Sequence, residues 1–347
     1  MRVPAIVLLA LLAPLPAAAD LSKRQKVVDL TRLELLTTVD KRYTHCLAPS
    51  GAAFAVFDAN IVRLVDPADG RELQALNGHV GMIHDAGWSR DGSLIATSGF
   101  DETVRVWETA TGRQILKVRP LSSFACSVAF SPDGRQVAVG SSDDGQLKVI
   151  DVASGRIRSF QTSDQALYAM EFTPDGRRLV VNHTLSKLGG PSLLVLNVSD
   201  WSEVKTAIRG GTATSFAISR DGKRFAYGSA GGTISILETT SWSELRSFEA
   251  HPGGASSLAF HPGGQFLASS GRDGTVRVWN ALTGEPVHHL AIKAEVDSRL
   301  VFGADEESLV VATADATVKR FGRRVVPSGL PPAADPARTP PSGAGEK

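Results

Sequence analysis

The chain of 347 residues has only two cysteines, Cys46 and Cys126, and three methionines, and aromatic residues make up 6% of it. So few cysteines exclude a disulfide-stapled fold. They also leave no Cys-x-x-Cys zinc pair and no Cys-x-x-Cys-His haem site, and there is no His-x-x-x-His pair. Charge of one sign is equally lacking: 37 Lys and Arg stand against 36 Asp and Glu. Without a basic field, non-specific nucleic-acid binding is excluded. Gly-x-Ser-x-Gly and phosphate-loop motifs are absent. Asp143-Asp144-Gly145 resembles part of a calcium loop but lacks the downstream glutamate. No metal, no cofactor and no catalytic residue is therefore expected. Past the N-terminus there is no apolar run long enough to span a membrane, so no membrane insertion is expected either.

Turns, by contrast, are abundant, with 33 Gly and 18 Pro. Residues 77–118 hold four short apolar runs separated by turns such as Ser89-Arg90-Asp91-Gly92 and Thr109-Ala110-Thr111-Gly112. This pattern predicts a four-stranded antiparallel meander, which must pack against copies of itself. The first turn recurs, ending at positions 51, 92, 134, 176, 222, 264 and, in decayed form, 306. The steps are 41, 42, 42, 46, 42 and 42 residues. Seven units of that period predict an all-β, seven-bladed propeller of four-stranded blades.

Two blades carry a further signature. His79, Thr97, Asp101 and Trp107 in blade 2 match His251, Ser269, Asp273 and Trp279 in blade 6. His to Trp is 28 residues and Asp to Trp is 6 in both. On these residues the chain resembles the WD-repeat (WD40) family, and a bacterial-type exported member of it. The resemblance implies that each set of four forms a buried hydrogen-bonded tetrad. It covers roughly residues 32–325. The other blades keep an apolar residue at the Trp position and should hold by packing alone.

The N-terminus reads as a secretory signal: Arg2, an apolar core at 6–12 and Ala17-Ala18-Ala19 before the cleavage point. Removing 1–19 leaves 36 Lys and Arg against 36 Asp and Glu. Residues 20–31 form a polar leader, and 32–326 the propeller. Residues 327–347, rich in Pro and Gly, should be disordered. Blade 7 supplies three strands, so 32–39 is expected to complete it and close the ring. Cys46 and Cys126 fall on inner strands of blades 1 and 3, too far apart to bridge.

Two functional classes stand open. One is a non-catalytic scaffold or accessory subunit, a monomeric propeller that binds another envelope protein in the periplasm or outside the cell. The other is an enzyme of the propeller-lactonase or quinoprotein type with its site at the central channel. The absence of a catalytic cluster favours the scaffold; no specific signal points to a small ligand or a cell-wall sugar. In WD-repeat relatives, partners touch the entrance of each inner strand and the residue before the turn Asp. Carried onto this chain, those positions are Lys41, Tyr43, Met82, His84, Phe124, Cys126, Ala166 and Tyr168, with Phe100 at the turn. Blades 5–7 give the smaller Thr212, Thr214, Gly254, Ser256, Val296 and Ser298. The expected contact set is therefore Tyr43, Met82, His84, Phe100, Phe124 and Tyr168, with His183 and Lys187 from a long loop at 183–191. That loop reads equally as a binding loop or as a tolerated insertion.

Overall fold

The computed structural model describes residues 30, 33–40, 44–49, 51–121, 125–162, 166–183, 193–206, 213–292, 299–303, 305–313 and 317–322. The signal segment 1–19, most of the leader and the tail 327–347 lie outside the described residues. Seven four-stranded antiparallel sheets form the blades of a propeller. Their inner strands are Thr44–Leu47, Ile83–Trp88, Ala125–Phe130, Leu167–Phe172, Ala213–Ile218, Ala255–Phe260 and Arg299–Phe302.

The recurring turn follows from side-chain chemistry. Ser89 Oγ donates to Asp91 Oδ1 at 2.6 Å, and the same oxygen accepts the Ser93 N–H. Ser131 with Asp133, Thr173 with Asp175 and Ser219 with Asp221 repeat the bond. The chain then passes Gly92 at φ +73°, a left-handed conformation that glycine adopts without steric cost. In blade 7 Glu306 takes this place at φ +60°.

Strand Glu34–Asp40 pairs with Thr317–Gly322 from Glu34↔Gly322 to Asp40↔Thr317, so an N-terminal strand completes blade 7. Pairing satisfies an otherwise open sheet edge and ties the two ends of the ring together. The leader is not wholly outside the fold, however. Leu30 is 1% exposed and, with Leu33, packs among Val276, Leu300 and Phe321 at the seam of blades 6 and 7. An apolar side chain gains by entering that seam even though its neighbours in sequence are polar.

Blades pack at backbone contact. A Cβ at Gly87 would lie 2.9 Å from the carbonyl oxygen of Val128 in the next blade. Where the tetrad Trp is missing, other tryptophans fill the seams. Trp201 stacks on Phe160 with ring centroids 4.9 Å apart, and Trp242 lies 5.5 Å from Phe225. Both stand at positive φ in the turn where Gly112 and Gly284 stand in the tetrad blades.

Candidate interaction face and central channel

In blade 2 the Thr97 hydroxyl is a hub. Trp107 Nε1 donates to Thr97 Oγ1 at 2.9 Å, and His79 Nε2 lies 2.8 Å from the same oxygen. His79 Nδ1 is 2.9 Å from Asp101 Oδ1. Because the carboxylate only accepts, Nδ1 carries the proton and Nε2 accepts from the threonine hydroxyl. Asp101 also accepts from Thr103 Oγ1 and from the Val80 N–H. Blade 6 repeats the arrangement: Trp279 Nε1 donates to Ser269 Oγ at 2.7 Å, and His251 joins Ser269 to Asp273. Burial lowers both imidazoles below their usual value, outweighing the pull of the carboxylates. Burial by itself would raise Asp101, but the Val80 N–H, His79 and Thr103 outweigh it and hold the carboxyl far below the carboxylate range.

The blade-2 network positions one end of the ring, called the top here. It ties the loop before the inner strand to the turn at Phe100. Phe100 N donates to Met82 O at 2.8 Å, and Gly81 approaches so closely that a Cβ there would meet Asp101 N at 2.7 Å. Three apolar side chains are thereby held out into solvent: Val80 is 85% exposed, Met82 63% and Phe100 50%. His84 meets the Phe100 ring edge-on at 5.8 Å. On blade 4, Tyr168 is 51% exposed. Sequence reasoning missed Val80, although its place after Gly78-His79 was a usable signal.

His183 does not join this face. It is 6% exposed at the end of strand Arg178–His183, because the strand runs one residue further than the loop expected there. Ala166 and Gly254 are likewise buried, and Thr214 and Ser256 half-buried. Lys41, Tyr43, Phe124, Lys187, Thr212, Val296, Ser298 and residues 184–191 lie outside the described residues, as does the Cys126 side chain. Cys46 is unbridged.

Inside the ring runs a channel of about 1060 Å³. Asp85, Glu171 and Arg299 line it, two carboxyls and a guanidinium that the sequence did not single out. Asp85 Oδ2 accepts the Val128 N–H at 2.9 Å, tying blade 2 to blade 3. Burial raises the Asp85 carboxyl, opposed by the charge of Arg299. Glu171 is pushed up to about 8 by burial alone. Cys46, against Trp88, is pushed up to about 12, also chiefly by burial, and stays an unreactive thiol. Among the described residues no three His, Cys, Asp or Glu side chains converge as a metal site.

The family model for the WD domain, G-beta repeat, matches residues 70–108, 117–151 and 242–280. The chain carries WD40 repeats. Two matches start just before the outer strand of one blade and the other inside strand Gln114–Val118, and each ends with the third strand of the next blade, so the sequence unit is offset from the blade. THO complex subunit 3 of Arabidopsis thaliana is 25% identical over 258 residues, covering 71% of this chain and 79% of that protein. Guanine nucleotide-binding protein subunit beta of Arabidopsis thaliana is 24% identical over 277 residues, 73% of this chain and 67% of that protein. Jouberin of Mus musculus is 27% identical over 254 residues, 68% of this chain but only 24% of Jouberin. The repeat model leaves blades 4 and 7 unmatched and reaches blades 1 and 5 only at their outer strands, Glu72–Asn77 and Glu244–Glu249.

Proposed function

We propose that this WD40-repeat protein is a non-catalytic subunit that holds a partner protein on the top face of its ring. The observation that carries the reading is the group of Val80, Met82 and Phe100, apolar yet exposed and fixed from beneath by the Asp101 network. Large apolar groups held in water by a rigid support lose that cost when a partner covers them, and aromatic residues serve as anchors of such contacts. The names of the relatives support it: two are subunits, and a third is serine-threonine kinase receptor-associated protein of Gallus gallus, 22% identical over 249 residues. The signal-like stretch at 1–19 supports export, with the partner another envelope protein.

The experiment is affinity capture with crosslinking from the envelope fraction, using wild type and the variants Met82→Ala, Phe100→Ala and Tyr168→Ala. Loss of the same captured protein, with the melting temperature unchanged, supports the top face. Retention by all three, with loss on altering Arg71 or Arg113 at the opposite end, rejects it. N-terminal sequencing tests export, which requires the mature chain to begin at Asp20.

The channel enzyme is the weaker reading. Asp85 is already engaged by a backbone N–H and by Arg299. Among the described residues, no nucleophile stands beside Glu171 in a hydrogen-bonded pair.

A further inference from the structure

Glu171 breaks a pattern that the other blades keep. It sits five residues before the turn glycine on the inner strand of blade 4 and pairs with Val180. The equivalent residues are Gly87, Ala129, Ala217 and Ala259, each paired in the same register with an alanine of its second strand. In blades 1 and 7 they are Cys46 and Val301. Small or apolar side chains suit a position where neighbouring blades approach at backbone distance. A glutamate there must direct its carboxyl along the wall into the channel, and Glu171 does line it.

Nothing among the described residues compensates this carboxyl, since no described donor bonds to it. None of the three channel arginines bonds to it: Arg299 acts on Asp85, Arg90 donates at 2.9 Å to the carbonyl of Pro174 at the lower rim, and Arg220 stands at the same rim. The strands packed on either side present Val128, Ala129, Phe130, Phe216 and Ile218 to the channel, with Thr214 and Ser215, whose hydroxyls donate to the Ala255 carbonyl; none is titratable. An ionised carboxyl facing such walls is costly without a counter-charge. The channel wall carries ring and thioether surface, from Met170 and Phe172 on the same strand, Phe130 and Phe216 on the flanking blades, and Trp88 further round the ring. Aromatic faces attract cations as well as apolar bodies.

We infer that the central channel takes a small organic amine, with its ammonium group against the Glu171 carboxyl and its apolar body along the aromatic wall. A metal ion would need more ligands than the described channel residues bring together. A neutral polyol would leave the carboxyl uncompensated, and an anion would meet it unfavourably. The arginines at the lower rim, Arg90 and Arg220, leave the top mouth beside Tyr168 as the entrance for a cation. Binding also carries a proton signature. At pH 7 the free carboxyl, raised to about 8, is largely protonated; an ammonium partner ionises it and expels the proton.

The test is calorimetric titration of the full chain at pH 7 with phenethylamine, and with phenethyl alcohol as the neutral isostere. Runs in two buffers of different ionisation enthalpy read proton release. The amine should bind saturably, about tenfold or more tighter than the alcohol, as expected of a charge-assisted contact. It should release close to one proton. Glu171→Gln should bring the amine down to the level of the alcohol and abolish proton release. Glu171→Ala, the residue of blades 3, 5 and 6, should do the same with the melting temperature retained. Equal binding of amine and alcohol, no binding of either, or amine binding that survives both variants would overturn the inference. Met82→Ala and Phe100→Ala should leave amine binding intact, so this result is read separately from partner capture.

Discussion

His261 Nε2 lies 2.8 Å from the carbonyl oxygen of Glu306, joining the turn of blade 6 to the turn of blade 7. The imidazole is fully buried, and its Nδ1 accepts the Gly263 N–H at 3.0 Å, so Nε2 is the donor. Phe302 meets the ring edge-on at 5.1 Å. One side chain thus does two jobs: it caps its own turn, as serine does in blades 2, 3 and 5, and it holds the neighbouring blade. His261→Ser should keep the cap and lose the link, costing about 1–2 kcal/mol. Urea denaturation measures it, and an unchanged midpoint would show that the link adds nothing.

The hydroxyl hubs should matter as much as the indoles they serve. Thr97→Val or Ser269→Ala leaves a buried indole N–H and an imidazole nitrogen without partners, at a cost of about 1–3 kcal/mol. Trp107→Ala or Trp279→Ala should cost more, roughly 3–5 kcal/mol, through the cavity left behind. Chemical denaturation of the four variants should reproduce that order.

Acid should act on the tetrads in two steps. His79 and His251 have folded values below 6.5, so the unfolded chain takes up protons first as the pH falls. Stability is therefore lost progressively below about pH 6.5. Asp101 and Asp273 are held below 3.8, and their contribution, present above that value, is lost as the pH falls further. Thermal melts from pH 8 to pH 3 should show both declines. In the Glu171→Gln variant, where the opposing Glu171 titration is removed, a curve flat between pH 7 and pH 5 would mean that the imidazoles are not buried in neutral form.

Glu171 should give the opposite slope. Its folded value is raised from 4.5 to about 8, so the folded chain binds the proton more tightly. Its contribution is complete below about 4.5 and is lost as the pH rises through about 8. Glu171→Gln removes that slope and should be the more stable protein at pH 9. Parallel wild-type and variant curves between pH 5 and pH 9 would show the carboxyl to be well hydrated.

Removing Glu34–Asp40 should open the ring by exposing the edge of Thr317–Gly322 and unseating Leu33. The melting temperature should fall by about 10 °C or more, given that each 1 kcal/mol is worth a few degrees in a protein of this size. An unchanged melt would mean that the ring holds without this strand.

The repeat was legible in the sequence because it rests on local chemistry. A Ser or Thr two residues before an Asp, followed by Gly, dictates the same turn wherever it occurs, and turn spacing alone counts the blades. The closing strand at 34–40 was legible as the one outer strand that blade 7 lacked. The His-to-Trp spacing of blades 2 and 6 likewise marked residues that fold to hydrogen-bonding distance. What lies between blades was not legible. Leu30 in a polar leader, His183 turned inward, His261 reaching Glu306, and Asp85 and Glu171 on the channel wall all depend on contacts between segments far apart in the chain. An inner strand alternates its side chains, but both sets meet neighbouring blades. Whether a side chain ends in a seam, in the channel or in water depends on how closely the adjoining blade approaches. That distance belongs to the closed ring, and no single repeat encodes it.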